Sequence, residues 1–145
     1  MRAVVQRVDR CKVIVEERTV ADIGCGLLIL LGVGLDDDAK KASMLAKKIS
    51  NLRIFEDDAG KMNLSVLDLQ ASAVVVSQFT LLADTRKGNR PSFTGAMPPD
   101  HACPLVDYFA SALRSEGVPV QQGVFGAHML IELVNNGPVT ITLEL

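Results

Sequence analysis

The sequence predicts a single α/β domain over residues 1–145, with mixed, largely antiparallel sheets of barrel-like form packed together and two main helices covering one face. Three observations carry this. Val- and Ile-rich runs with interleaved polar residues stand near both ends of the chain. The runs Leu27-Leu28-Ile29-Leu30-Leu31 and Val74-Val75-Val76 are apolar throughout, so they need cover on both faces. Two further stretches repeat apolar residues at helical spacing. No internal repeat or linker divides the chain.

A chain of 145 residues can bury a real core, and 48% hydrophobic with 22% charged residues is an ordinary globular composition. No run of about eighteen apolar residues occurs, so no membrane span is expected. Met1-Arg2-Ala3-Val4-Val5 enters strand pattern directly and lacks the apolar stretch of a signal peptide, which predicts a cytoplasmic protein. A net charge of -2 and a pI near 5.6 exclude a protein that holds nucleic acid by bulk charge; such a ligand would need a local patch. Cys11, Cys25 and Cys103 are an odd set without paired spacing, which argues against a disulfide framework or a zinc site. Cys11 and Cys25 lie in strand-like stretches and read as small core residues. Neither a metal nor a cofactor is expected.

Taken in order, Arg2 to Val8, Cys11 to Glu16 and Thr19 to Ile23 read as antiparallel strands joined by tight turns. Gly24-Cys25-Gly26 breaks the pattern before Leu27 to Leu31, a central strand. Gly32-Val33-Gly34 is not a dinucleotide loop, since Asp37 stands where the third glycine belongs and carboxylates would repel a pyrophosphate. Asp36 to Asp38 mark a helix start, where acid caps free amides. Ala42, Leu45, Ala46, Ile49 and Leu52 follow at helical spacing. Lys40, Lys41, Lys47 and Lys48 fall on its other faces, a solvated surface or an RNA contact. Glu56 to Lys61 is an acidic loop without the ligand spacing of a calcium site.

Val74 to Leu82 reads as an interior strand whose far end carries Ser77, Gln78, Phe79 and Thr80. Strand ends present groups to a ligand on a rigid base; a strand running into a turn is the plainer reading. Ala83 to Pro99 is long, rich in Gly, Pro and charge, and aperiodic, as functional loops are. Its Arg86, Lys87 and Arg90 are the best placed to contact phosphates, unless the loop is merely soluble. Leu105, Phe109, Ala112 and Leu113 mark a second helix ended by Gly117 and Pro119, with Pro104 limiting its upstream start. Met129, Ile131 and Leu133, then Val139, Ile141 and Leu143, alternate in what look like paired strands, with Asn135-Asn136-Gly137-Pro138 as the turn between them. His101 and His128 lack a partner in any nucleophile motif, and His128 reads as a partly buried strand histidine.

The Ser77-Gln78-Phe79-Thr80 and Gly137-Pro138 segments together resemble the D-aminoacyl-tRNA deacylase (D-Tyr-tRNA(Tyr) deacylase) family. Leu52 to Asp57, Gly60 to Ser65 and Lys87 to Phe93 match in the same order, and the likeness runs from Met1 to Leu145. The resemblance implies a three-layer β/β/α fold. It also implies hydrolysis of the ester of D-aminoacyl-tRNAs, as proofreading, with L-aminoacyl-tRNA rejected. In this reading Ser77, Gln78, Phe79 and Thr80 shape the catalytic site, and main-chain amides at Phe79-Thr80 stabilise the oxyanion beside the substrate's own 2′-hydroxyl. A cis Gly137-Pro138 segment enters the partner's site in a homodimer and acts as a rigid chiral wall, which leaves room for mischarged glycyl-tRNA. Asn136 stands where the family is expected to favour Asp. Phe125 and Met129 are implied to hold the terminal adenine, and the partner is the aminoacyl-tRNA acceptor end. Two other readings remain: a non-catalytic RNA-binding domain using the Arg86 to Arg90 loop, and a small-molecule esterase with Thr80 or a cysteine as nucleophile.

Overall fold

The computed structural model describes residues 1–145. The elements run β1 (Arg2–Val15), β2 (Arg18–Ile23), β3 (Gly26–Gly32), α1 (Ala39–Ser50), β4 (Phe55–Glu56), β5 (Met62–Leu64), β6 (Ser72–Ser77), a 3-10 turn (Phe79–Leu82), α2 (Pro99–Ser115), β7 (Val120–Gln122) and β8 (Leu130–Glu144). The main sheet has the order β2-β1-β3-β6-β7, with β8 also on β1. β1 is the hinge of this arrangement. Its first half pairs with β3 and its second half with β2, while β8 runs antiparallel along its other edge. The β3–β6 and β6–β7 pairs are parallel, and each is joined by a crossover that carries a helix. Crossovers of the usual right-handed sense place α1 and α2 on one face, where they pack together.

The apolar runs explain the layering. Leu27, Ile29 and Leu31 of β3, with Ala73 and Val75 of β6, face a core completed by Ala42, Leu45, Ala46 and Ile49 of α1 and Val106, Phe109, Ala110 and Leu113 of α2. Leu28, Val74 and Val76 face the other way, into a second core with Val8, Cys11, Val13, Ala21 and Ile23. Two cores separated by one sheet make the three β/β/α layers, and the strands between them are buried on both faces, as their composition requires. Full burial of a side chain such as Leu45 or Phe109 contributes about 1.5–3 kcal/mol. α1 starts at Asp38, whose carboxylate accepts from the Lys41 amide at 2.8 Å. No helix is long and apolar enough to cross a membrane.

Several expectations are corrected. No turn separates Val8 from Cys11: β1 is continuous, and its pairing with β8 slips between Gln6 and Val8 and again between Val8 and Arg10. The second slip adds Asp9 as an extra residue, so Cys11 and Val13 share the face of Val8 and not that of Val5. The closing runs are not a hairpin either. β8 is one strand from Leu130 to Glu144, and both halves pair with β1. Asn136 to Val139 form a bulge opposite Arg7, because Gln6 faces Thr140 while Val8 faces Asn135; Gly137 and Pro138 stand outward and Val139 turns back into the core. Asn-Gly-Pro chemistry serves a bulge as well as a turn.

The Val74 strand stops at Ser77, and Phe79 to Leu82 form the 3-10 turn. α2 begins at Pro99, upstream of Pro104, which lies inside the helix. Pro104 is exposed, so the Asp100 carbonyl that loses its amide partner can turn to water. Leu52 falls just beyond α1, and Cys25 is exposed in the bend between β2 and β3 instead of buried in a strand. His128 is exposed in the β7–β8 connection: Gly126 takes a left-handed φ of 74° and the Ala127 amide donates to Val124 O at 3.2 Å, which keeps the chain out of the sheet until Leu130.

Candidate active site

β6 delivers Ser77 opposite Leu31 of β3, and the Gln78 amide adds one more bond to Leu31 O at 2.8 Å. The chain then tightens into the 3-10 turn, with Leu81 N donating to Gln78 O at 3.2 Å and Ala83 N to Thr80 O at 3.1 Å. The first amides of such a turn, here Phe79 and Thr80, have no acceptor within it. Gly32 permits this close approach: a Cβ there would lie 2.4 Å from Leu82 Cδ2 and 3.0 Å from Gln78 O. The Gln78 side-chain amide donates to Thr80 Oγ1.

The segment from Ala83 to Pro98 folds back over this turn. The Phe79 and Phe93 rings meet edge to face with centroids 5.0 Å apart. Asp84 and Ser92 exchange backbone bonds of 2.7 and 2.9 Å, and Met97 N donates to Val33 O at 2.9 Å. Arg86 grips the Asp84 carboxylate with two bonds, Nε to Oδ1 at 2.9 Å and Nη2 to Oδ2 at 2.7 Å, which pushes the Asp84 carboxyl down to about 2. Lys87 and Arg90 are exposed and take part in no ion pair.

Between these pieces lies a cavity of about 600 Å³. Ser77, Gln78 and Phe79 form one wall; Phe125, Gly126, Ala127, His128 and Met129 form another. Phe93 and Met97 close it from the loop, and Leu31 of β3, Val33 just beyond it, and Ala102 and Val106 of α2 also reach it. His128 is the only ionisable side chain in the lining. Such a mostly apolar wall with a few hydrogen-bonding groups suits a flat ring and an ester, and it lacks the lysine or arginine that would hold a phosphate.

The structure therefore brings Ser77, Gln78, Phe79, Phe125 and Met129 together. It leaves others outside. Thr80 is exposed and not in the cavity wall, and its hydroxyl meets Gln78 and no base. Gly137 and Pro138 are exposed on the β8 bulge, joined by a cis peptide bond, and line no part of this cavity within one chain. Beside them is a smaller depression lined by Arg7, Cys25, Phe55, Glu56, Leu69 and Asn136. Arg7 takes a role that emerges only in the folded chain. It is only 4% exposed and donates to Ile54 O at 2.7 Å, Asn136 O at 3.2 Å and Asn136 Oδ1 at 2.9 Å. Its signal is an arginine in phase with the buried Ala3 and Val5 of β1. No group of three or more His, Cys, Asp or Glu side chains is gathered anywhere that could hold a metal.

A largely apolar cavity at parallel strand ends, roofed by an aperiodic loop on a β/β/α scaffold, defines the class: a layered α/β protein with a pocket lined by main chain and apolar side chains. The chain belongs to the D-Tyr-tRNA(Tyr) deacylase family, whose family model matches residues 4–144. Its relatives include the D-aminoacyl-tRNA deacylase of Thermomicrobium roseum, 59% identical over 99% of this chain and 94% of its own. That of Deinococcus radiodurans is 57% identical over 100% of both chains. Among solved structures, a c-Myc DNA Unwinding Element Binding Protein matches with TM-score 0.94 and 44% identity, over 100% of this chain and 99% of that one. A probable eukaryotic D-amino acid tRNA deacylase shares the fold, with TM-score 0.83 at 18% identity over 99% and 98%.

Proposed function

We propose that this chain is a D-aminoacyl-tRNA deacylase, which hydrolyses the ester between a D-amino acid and the terminal ribose of tRNA and spares the L form. The observation that carries the reading is the cavity that gathers Ser77, Gln78 and Phe79 with Phe125 and Met129 behind a wall without carboxylate, lysine or arginine, in a chain of this family. Phe125 and Met129 hold the terminal adenine, for which stacking contributes about 1–3 kcal/mol. The ester carbonyl then lies at the Ser77–Thr80 strand end. Water adds to the carbonyl, the negative charge forming on its oxygen is met by the Phe79 and Thr80 amides, and the ribose oxygen leaves with a proton. The neighbouring 2′-hydroxyl of the substrate assists, so the protein's share is orientation and charge stabilisation. Ser77, Gln78 and Thr80 act through their backbone more than through their side chains. The Gln78 bond to Thr80 Oγ1, with no base beside it, favours this over a covalent threonine.

Handedness is read by Gly137 and Pro138 of a second copy, which enter the cavity in a homodimer and stand where an L side chain would go. Glycine has no side chain to meet that wall, so mischarged glycyl-tRNA is a second substrate. With a net charge of -2, contacts stay on the acceptor end, where Lys87 and Arg90, joined by Arg86 once it is released from Asp84, reach the phosphates. The test is release of labelled tyrosine from D- and L-tyrosyl-tRNA. The expected result is rapid release from the D ester and a background rate from the L ester. Equal rates, or no release from either, would overturn the reading.

A further inference from the structure

β7 ends at Gln122, yet the Gly123 amide continues its ladder by donating to Val75 O at 2.9 Å, so the sheet fixes where residue 123 stands. The usual reason for a glycine is missing here. Its φ is not in the left-handed range, unlike that of Gly126 three residues on. What the glycine supplies is room. A Cβ at this position would lie 2.6 Å from Met129 Sδ, 3.7 Å from Met129 Cε and 3.5 Å from Val76 Cγ2. Non-bonded heavy atoms settle at about 3.5–4.0 Å, so a methyl group would drive the thioether back by roughly 1 Å.

The direction of that movement follows from what surrounds Met129. On one side it packs against the second core, where Val74 and Val76 are almost fully buried and yield little. On the other side is the open cavity, which Met129 lines together with Phe125. A methionine side chain adapts by rotating its own bonds, so the shift falls on the thioether and not on the sheet.

We propose that Gly123 is a positioning residue: by lacking a side chain it sets how far Met129 projects into the cavity, and so the width of the slot facing Phe125. The proposal rests on the deacylase reading, in which that slot takes the terminal adenine. Gly123 touches no substrate; it acts through Met129.

The test uses the full chain with Gly123→Ala, Met129→Ala and the pair combined, together with wild type. For D-tyrosyl-tRNA, Gly123→Ala raises KM by roughly tenfold, the order of one impaired base-stacking contact, while kcat stays within about twofold. In the double variant the alanine at 123 has nothing left to displace, so its KM equals that of Met129→Ala alone. An unchanged KM in Gly123→Ala, or single effects that simply multiply in the pair, would overturn the proposal. A second readout needs no turnover: with carbon-13 methyl-labelled methionine, the Met129 methyl resonance moves in Gly123→Ala, and adenosine 5′-monophosphate shifts it less than in wild type. A resonance that stays put overturns the positioning role. Failure of wild type to release D-tyrosine overturns the deacylase reading instead, and leaves the methyl measurement to decide the packing of Gly123 on Met129.

Discussion

Arg7 and Asn136 meet twice, through Nε to the Asn136 carbonyl at 3.2 Å and through Nη2 to Asn136 Oδ1 at 2.9 Å, directly before the Gly137-Pro138 bulge. The other end of the same amide donates to Asp9 Oδ1 at 2.5 Å. Asn136 thus spans a buried cation and an exposed carboxylate, which a single aspartate could not satisfy together. An arginine 4% exposed is tolerated only because Ile54 O, Asn136 and Glu56, at 3.5 Å, receive its fork.

Removing that fork strands its acceptors. Arg7→Ala lowers the stability by about 2–4 kcal/mol, read as a lower urea midpoint, and Arg7→Lys loses most of the same because one ammonium cannot span the three carbonyl and amide acceptors. Asn136→Asp keeps the contact with Arg7 but turns the other bond into a carboxylate pair with Asp9. It is destabilising alone and recovers with Asp9→Asn in the same chain. A midpoint equal to wild type in Arg7→Ala would contradict the role given to this arginine.

Thr80 separates backbone from side-chain chemistry. Single-turnover release from D-tyrosyl-tRNA by Thr80→Ala stays within about tenfold of wild type, whereas loss of an oxyanion donor or a nucleophile costs about 10² or more. Collapse to the uncatalysed rate would restore the covalent threonine.

The loop cations should differ among themselves. Lys87→Ala and Arg90→Ala each reduce the salt dependence of kcat/KM by about one phosphate contact, and Arg86→Ala by less, since Asp84 already occupies its guanidinium. The Asp84–Arg86 pair also has a pH signature. The Asp84 carboxyl is held down to about 2, so the pairing is fully present above the ordinary aspartate range, near 3.9, and is lost only as pH falls toward 2. Carboxyl NMR of Asp84 titrates near that value in wild type and returns toward the ordinary range in Arg86→Ala.

Thiol chemistry gives an independent check on the nucleophile. No cysteine lines the cavity; burial, with Asp22 nearby, pushes the Cys11 thiol up to about 11, and burial raises that of Cys25 as well. Maleimide treatment at neutral pH therefore modifies exposed Cys25 well before Cys11, and the near-isosteric variants Cys25→Ser and Cys103→Ser leave D-tyrosyl-tRNA hydrolysis standing. Collapse of hydrolysis in Cys25→Ser or Cys103→Ser would bring back the esterase reading.

The parts of this fold that local chemistry decides could be read from the chain. Three valines at 74–76 demanded cover on both sides and have it; Asp38 caps α1 with its own carboxylate. What could not be read depends on a distant partner. Asn135-Asn136-Gly137-Pro138 has the composition of a hairpin turn, and only the register against β1 makes it a bulge in a continuous strand. Pro104 hid the true start of α2, because a proline in an exposed helical turn looks the same as one at its beginning. For the site, the Ser77–Phe79 strand end stood out as a change from valines to hydrogen-bonding groups. Phe125 and Met129 are marked only by the family resemblance, and Phe93 and Met97 by no signal of their own, since the convergence of these segments emerges only when the loops fold over the sheet ends.

The pairing of β1 with β8 joins Arg2 to Glu144 and Ile14 to Leu130, the first strand of the chain with the last. During synthesis on the ribosome, β1 must wait with one open edge until nearly every other residue has emerged. Local pieces such as the α1 turn can form early, but closure of the sheet waits for residues 130–144, and nascent chains stalled before residue 130 should lean on chaperones to stay out of aggregates.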